Sequence, residues 1–151
     1  EEYMAYNVND IANTLLRYAE NTEGGDLMSN MKLQKMLYYQ QGFHLAMFGT
    51  PLFDDDLEAW MYGPVVPAVY EAYKSHGREG IPADPDKCFS FDDTKEAALF
   101  DEVYKVYGKF SAIGLMNMTH DEDPWKSTPT GEGNVIPKDK MRTFFKSRLK
   151  E

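Results

Sequence analysis

Hydrophobic positions recur at intervals of three and four residues in six segments of the chain, which is the spacing of one face of an α-helix. The six predicted helices cover residues 9–20, 29–49, 65–76, 93–107, 111–118 and 138–149. The second is apolar around its whole circumference, which is typical of the central helix of a small bundle. Two other segments, near 57–62 and 87–91, are predicted as short strands. The pattern therefore predicts a mainly α, compact helical domain with a minor β element.

The first predicted strand separates its residues into two alternating sets. Leu57, Ala59 and Met61 form the apolar set, and Trp60 and Tyr62 fall on the opposite parity. If the apolar set packs inward, the aromatic set faces a neighbouring element or a partner. The Gly-Pro pair at 63–64 then ends the strand, and a proline at 67 falls in the first helical turn, where its missing N–H is tolerated.

Composition limits the classes of protein that fit this pattern. With 151 residues, 42% of them hydrophobic, the chain has enough apolar material for one folded core, and we expect a single domain over residues 4–151. Glu1 to Tyr3 precede a natural-looking start at Met4 and are interpreted as a tag remnant. A formal charge of −9 disfavours nucleic-acid binding, which needs a basic surface. It is compatible with a basic partner or with an acidic surface that keeps the protein in solution.

The single cysteine, Cys88, forms no internal disulfide, and no cysteine cluster suggests structural zinc. No apolar run approaches the ~18 residues that a membrane span requires. We therefore expect a cytoplasmic protein with neither a membrane partner nor a cofactor.

The histidines are the first candidates for catalytic or metal-binding residues. His44 lies on the apolar stripe of the second helix, where a hydrogen-bonded core histidine is the favoured interpretation. His120 stands beside Asp121 and Glu122, and this cluster suggests either a metal or general-base site or, preferentially, a capping box with Thr119 as the N-cap. The chain has no H-E-x-x-H or P-loop motif. We therefore predict that the protein is not an enzyme.

Three blocks of the sequence together resemble the Panacea domain of SocA-like antitoxins, a family also labelled phage-associated proteins. They are KLQKMLYY at 32–39, GTPLFDDDLEAWMYGPVVPAVY at 49–70 and THDEDPW at 119–125. Any one block is a weak signal, but the three jointly cover most of the chain from residue 30 to 125. The motif positions, which we interpret as structural, are Lys32, Leu33, Gln34, Lys35, Tyr38, Tyr39, Trp60, Gly63, Pro64, Val65, Thr119, His120, Pro124 and Trp125.

The resemblance implies the antitoxin of a bacterial or prophage toxin–antitoxin pair. Such a protein neutralises its toxin by direct binding, and the two are usually encoded side by side. One alternative is an adaptor that delivers the bound toxin to a host protease. Another, of a different class, is an enzyme built on His120, Asp121 and Glu122.

Aromatic residues are preferred as interface anchors because they bury a large area at low entropic cost. The residues predicted to contact a partner are Phe53, Trp60, Tyr62 and Tyr70 as anchors, with Asp54, Asp55 and Asp56 as an acidic rim. The Gly-Pro turn is expected to pack the Trp60 arm and the following helix onto the helix that begins near Lys32. The Trp125 segment is expected to close over the same place.

Overall fold

A computed structural model describes residues 4–22 and 24–149, and within these ranges the chain forms seven α-helices and one two-stranded sheet. The elements are α1 (Val8–Glu20), α2 (Asn30–Phe48), β1 (Glu58–Trp60), β2 (Gly63–Val65), α3 (Pro67–Tyr73), α4 (Thr94–Tyr107), α5 (Ala112–His120), α6 (Asp123–Lys126) and α7 (Lys138–Lys146). A 3₁₀ turn at Lys74–His76 follows α3. The mainly α class is confirmed. The predicted tag remnant at residues 1–3 lies outside the described residues.

Helix α2 is the centre of the molecule, as the apolar residues around its whole circumference predict. Every residue from Leu33 to Ala46 is buried, and α2 packs against α1, α3, α4, α5, α7 and β2. Gly42 brings α7 closest, since a Cβ there would lie 2.2 Å from the Phe145 ring. The buried apolar side chains of the described residues, apart from Val65, form one connected cluster around this helix.

Side-chain caps start four of the seven described helices at polar residues. Ser29, Asp93 and Ser111 each accept a backbone N–H in the first turn of α2, α4 and α5. The cap of α1 is Asn7, whose side chain accepts from the N–H of Asn9 at 2.8 Å, so the helix begins at Val8, one residue before its predicted start. The last helix ends at Lys146, three residues before its predicted end.

The predicted strand at 57–62 is a tight hairpin rather than one extended arm. Strands β1 and β2 pair antiparallel, with Trp60 opposite Gly63, so the Gly-Pro pair belongs to the second strand instead of ending the first. Met61 and Tyr62 form the turn and are 65% and 59% exposed. Because a turn interrupts the alternation of faces, Met61 does not point inward with Ala59.

The predicted strand at 87–91 is wrong. Its backbone forms no β-ladder. The segment is held in position by aromatic contacts, since the Phe89 and Phe91 rings both meet the Tyr6 ring edge-to-face at 5.4 Å. One backbone carbonyl of the segment is bonded by a side chain, since Arg17 Nη2 donates to the carbonyl oxygen of Lys87 at 2.6 Å. With no neighbouring strand to pair with, an alternating apolar sequence stays irregular.

No helix among the described residues has both the length and the hydrophobicity that crossing a bilayer requires.

Candidate functional site

Two polar side chains of α2 hold the start of α3. The Oε1 of Gln34 accepts the N–H of Val66 at 2.9 Å, and its Nε2 donates to Oδ1 of Asn30 at 2.9 Å. Asn30 Nδ2 in turn donates to the carbonyl oxygen of Tyr70 at 3.1 Å. Helix α3 has no side-chain cap of its own, so the α2 amide satisfies a backbone donor that would otherwise be buried without a partner. The hairpin and α3 are therefore fixed on α2, as the sequence predicts.

Lys35 is a buried cation on the same face of α2. It is 1% exposed, and its Nζ contacts the carbonyl oxygen of Pro64 at 3.5 Å, which is the outer limit of a hydrogen bond. Among the described residues, no carboxylate oxygen lies within 4.0 Å of this amine. Burial lowers the pKa of Lys35 from 10.5 to about 7, because no opposing charge compensates for the lost hydration.

Gly63 makes room for the Lys35 side chain. Its φ of +113° lies in a region that residues with a Cβ rarely adopt. A Cβ at this position would lie 2.5 Å from Cε of Lys35 and 3.1 Å from Oγ1 of Thr119. The glycine of the Gly-Pro motif is therefore required both by backbone conformation and by the approach of the lysine.

The predicted capping box at Thr119 and Glu122 is wrong. Thr119 lies in the last turn of α5, where its hydroxyl donates to the carbonyl oxygen of Met116 at 2.7 Å. Glu122 is buried, and its two carboxylate oxygens accept from the hydroxyls of Tyr38 at 3.0 Å and Tyr39 at 2.9 Å. Burial raises the pKa of Glu122 in spite of these two donors. The glutamate thus ties the short helix α6 to α2.

His120 stacks on Trp125 rather than facing a carboxylate. The two ring centroids are 4.1 Å apart, and Nε1 of Trp125 donates to the carbonyl oxygen of Trp60 at 2.8 Å. Pro124 is buried in the first turn of α6. The Trp125 block therefore closes over the hairpin, as expected. Within the described residues, His120 makes no ion pair and its Nε2 has no hydrogen-bond partner.

His44 is a satisfied core histidine, as predicted. Its Nδ1 lies 2.6 Å from the carbonyl oxygen of Thr50, and its Nε2 lies 2.6 Å from Oε2 of Glu96. Each ring nitrogen therefore has a hydrogen-bonding partner, one on the backbone and one on a carboxylate. In the part of the chain that the structure describes, no group of three His, Cys, Asp or Glu side chains is arranged to hold a metal ion.

A groove of about 1060 Å³ lies over this arrangement, between the hairpin, α2, the α3 region, the start of α5 and the loop near residue 131. We call it the hairpin groove. Large hydrophobic side chains are exposed beside it: Met61, Tyr62 and Ile113 line it and are 65%, 59% and 61% exposed. The half-buried Trp60 and Tyr70 rings also line it and meet edge-to-face at 5.1 Å. Exposed apolar side chains gathered beside a concavity are typical of a binding surface.

Three of the four predicted anchors, Trp60, Tyr62 and Tyr70, therefore lie together in one groove. Phe53 does not, since it is 0% exposed in the core and is a structural residue. Asp54, Asp55 and Asp56 do not line the groove either, and the Asp56 carboxylate pairs with Lys138 at 2.9 Å. This aspartate run is the neighbour of Phe53 in sequence, but its side chains belong to another part of the surface.

Sequence reasoning missed two features of the groove. Ile113 is one of several apolar residues in the helix predicted at 111–118, and only its 61% exposure identifies it as surface. Lys35 was treated as one motif position among many, although a lysine within an otherwise apolar helical stretch was a signal that its amine lacks water.

Comparison with known proteins agrees with the motif analysis. The family described as "Antitoxin SocA-like, Panacea domain" matches residues 33–126, which is more than half of the chain. The chain is also similar to the protein named Antitoxin SocA of Caulobacter vibrioides (strain NA1000 / CB15N), with 44% identity over 54 residues. That alignment covers 36% of this chain and 29% of that protein. No solved structure matches the chain.

Proposed function

The chain belongs to the family of SocA-like antitoxins with a Panacea domain, and on that premise we propose that it neutralises a protein toxin by binding to it directly. The toxin is a cognate protein encoded next to the antitoxin. The hairpin groove is the surface that holds it.

The observation that carries this proposal is the clustering of exposed apolar side chains in the groove. Met61, Tyr62 and Ile113 are three of the large hydrophobic residues that the described chain leaves exposed. They surround a concavity whose walls include the Trp60 and Tyr70 rings. Aromatic and apolar anchors that enter or frame a pocket contribute most of the free energy of a typical protein interface.

The floor beneath these anchors is rigid, which favours tight binding. The Gln34 and Asn30 amides and the Trp125 indole fix the backbones of the hairpin and α3 through hydrogen bonds of 2.8 to 3.1 Å. A surface that is ordered before it meets its partner loses little conformational entropy on association. A net charge of −9 further increases the association rate with a basic toxin.

The test is co-expression with the product of the neighbouring reading frame, together with a binding measurement on purified proteins. We expect Ile113→Glu to abolish the rescue of growth and to weaken binding by at least ~30-fold, as for an interface anchor. Val106→Glu is the matched control, because Val106 is also an exposed aliphatic residue on a helix, at 41%, but lies outside the groove. Both variants should keep the melting temperature of the wild type.

Two outcomes would contradict the proposal. If wild-type protein does not bind the neighbouring product, the protein is not its antitoxin. If growth is rescued only while a host protease is active, the protein is a delivery adaptor rather than a direct inhibitor.

A further inference from the structure

We propose that the toxin places a carboxylate in the hairpin groove and that this group forms an ion pair with the ammonium of Lys35. The inference rests on the proposed function and specifies the chemistry by which the groove recognises its partner. Four observations support it: the burial of Lys35, its single weak contact, the charge of the groove and the absence of a side chain at residue 63.

Lys35 lines the groove and yet is almost fully buried, at 1% exposure. An ammonium has three donor hydrogens, and here one long contact of 3.5 Å to Pro64 is the hydrogen bond formed within the described residues. A buried cation without a counter-ion is costly, and burial lowers the pKa of Lys35 to about 7. The free protein is therefore left with an unsatisfied donor beneath an open groove.

The amides of Gln34 and Asn30 at the floor use both their oxygen and their nitrogen in hydrogen bonds of 2.9 to 3.1 Å. Gln34 uses its oxygen for Val66 and its nitrogen for Asn30. Asn30 Nδ2 donates to the carbonyl oxygen of Tyr70. Among these floor residues, Lys35 is left to interact with a group that enters the groove.

The charges around the groove have the sign that favours an anion. Lys74 and Arg78 line it beyond α3, where the Lys74 amine also lies 3.9 Å from Oε1 of Glu71, and one acidic residue, Glu132, lines it from the opposite loop. With Lys35 the described lining carries three basic side chains against one acidic, on a protein whose overall charge is −9. The groove is thus a local positive site on a negative protein, which favours an acidic group of the partner.

A carboxylate fits the site better than a neutral acceptor does. A backbone carbonyl satisfies a donor but leaves the buried positive charge uncompensated. A carboxylate provides both the acceptor and the opposite charge, and charge-assisted bonds are the stronger kind. The missing side chain at Gly63 lets the Lys35 stem pass directly beneath the hairpin, so the amine is held in place before the partner arrives.

The test compares two lysines of the same helix. Binding of the purified product of the neighbouring reading frame is measured with Lys35→Met, which keeps the unbranched stem and removes the charge. Lys32→Met is the control, because Lys32 lies outside the groove and donates to the carbonyl oxygen of Gly108. We expect at least about 30-fold weaker binding for Lys35→Met, as for loss of one partner of a buried ion pair, and less than about threefold for Lys32→Met.

The toxin side of the pair is found by changing each of its Asp and Glu residues to the amide and by extending its C-terminus. One of these changes should weaken binding to the wild type as much as Lys35→Met does, and should cause no further loss in the Lys35→Met background. Wild-type affinity in Lys35→Met overturns the inference. If Lys35→Met is unfolded, the toxin scan decides, and a scan with no weakened variant also overturns it.

These results separate the inference from the function on which it rests. If Lys35→Met neutralises normally while Ile113→Glu does not, the hairpin groove binds the toxin without this ion pair. If the wild type itself fails to bind, both proposals are wrong.

Discussion

Replacing Lys35 by methionine should stabilise the folded protein at neutral pH and remove a pH dependence that the wild type shows. The pKa of Lys35 is about 7 in the folded protein. In the unfolded chain, where the amine is not buried, its pKa is 10.5. Between these two values the unfolded chain holds a proton that the folded protein has released. The free energy of unfolding of the wild type therefore rises with pH through this window.

The magnitude follows from the shift itself. A difference of about 3.5 pK units, at ~1.36 kcal/mol each, corresponds to roughly 5 kcal/mol of lost stability at low pH relative to pH above 10.5. We take this as an upper limit for the gain in Lys35→Met at neutral pH and below. Between about pH 7 and about pH 9.5 the advantage of the variant should shrink by about 3 kcal/mol.

The assay is urea denaturation followed by circular dichroism, at intervals from about pH 6.5 to about 9.5. We compare the difference in the free energy of unfolding between the wild type and Lys35→Met. Burial also raises the pKa values of Tyr38 and Tyr39, and this changes the stability of both proteins equally at high pH. Lys105→Met, at an exposed lysine of α4, controls for the loss of one positive charge. Parallel stability profiles for the wild type and Lys35→Met would show that the amine is hydrated or paired and would refute the reasoning.

Two glycine substitutions test the close approaches around α2. Gly63→Ala should lower stability by about 2–4 kcal/mol, since it combines an unfavourable φ with a clash against Lys35. Gly77→Ala also has a positive φ but meets no atom within 4 Å, so Gly63→Ala should lose more stability in urea denaturation, and equal losses would contradict the clash. Gly42→Ala should cost about 1–3 kcal/mol despite its better helix propensity, because the new Cβ meets the Phe145 ring. A raised melting temperature for this variant would mean that α7 moves aside without loss.

The sequence by itself determined the class of the protein and the identity of its central helix. Large apolar residues occur on every side of the helix from Leu33 to Ala46, so no face is suited to water and a central position follows from the pattern. The starts of α2, α4 and α5 were also predicted to within one residue, and there Ser29, Asp93 and Ser111 satisfy a backbone N–H of the first turn. The three motif blocks also identified the family, because their residue types and spacing can be read directly along the chain.

Only the tertiary structure decided which of the remaining residues face solvent. Phe53 and Tyr62 are both aromatic residues of one motif block, yet the first is 0% exposed and the second 59%. Periodicity states which residues share a face, but not whether another element covers that face. The same limit applies to the predicted strand at 87–91, since a strand needs a neighbouring ladder and none is brought there.

Lys35 shows this division most clearly. From sequence it is one cation in an apolar helix, with no indication of whether a carboxylate from another segment pairs with it. The fold brings Gly63 and Pro64 over its side chain and brings no carboxylate oxygen of the described residues within 4.0 Å. Charge pairing depends on contacts between segments far apart in the chain, and only the packed structure determines those contacts.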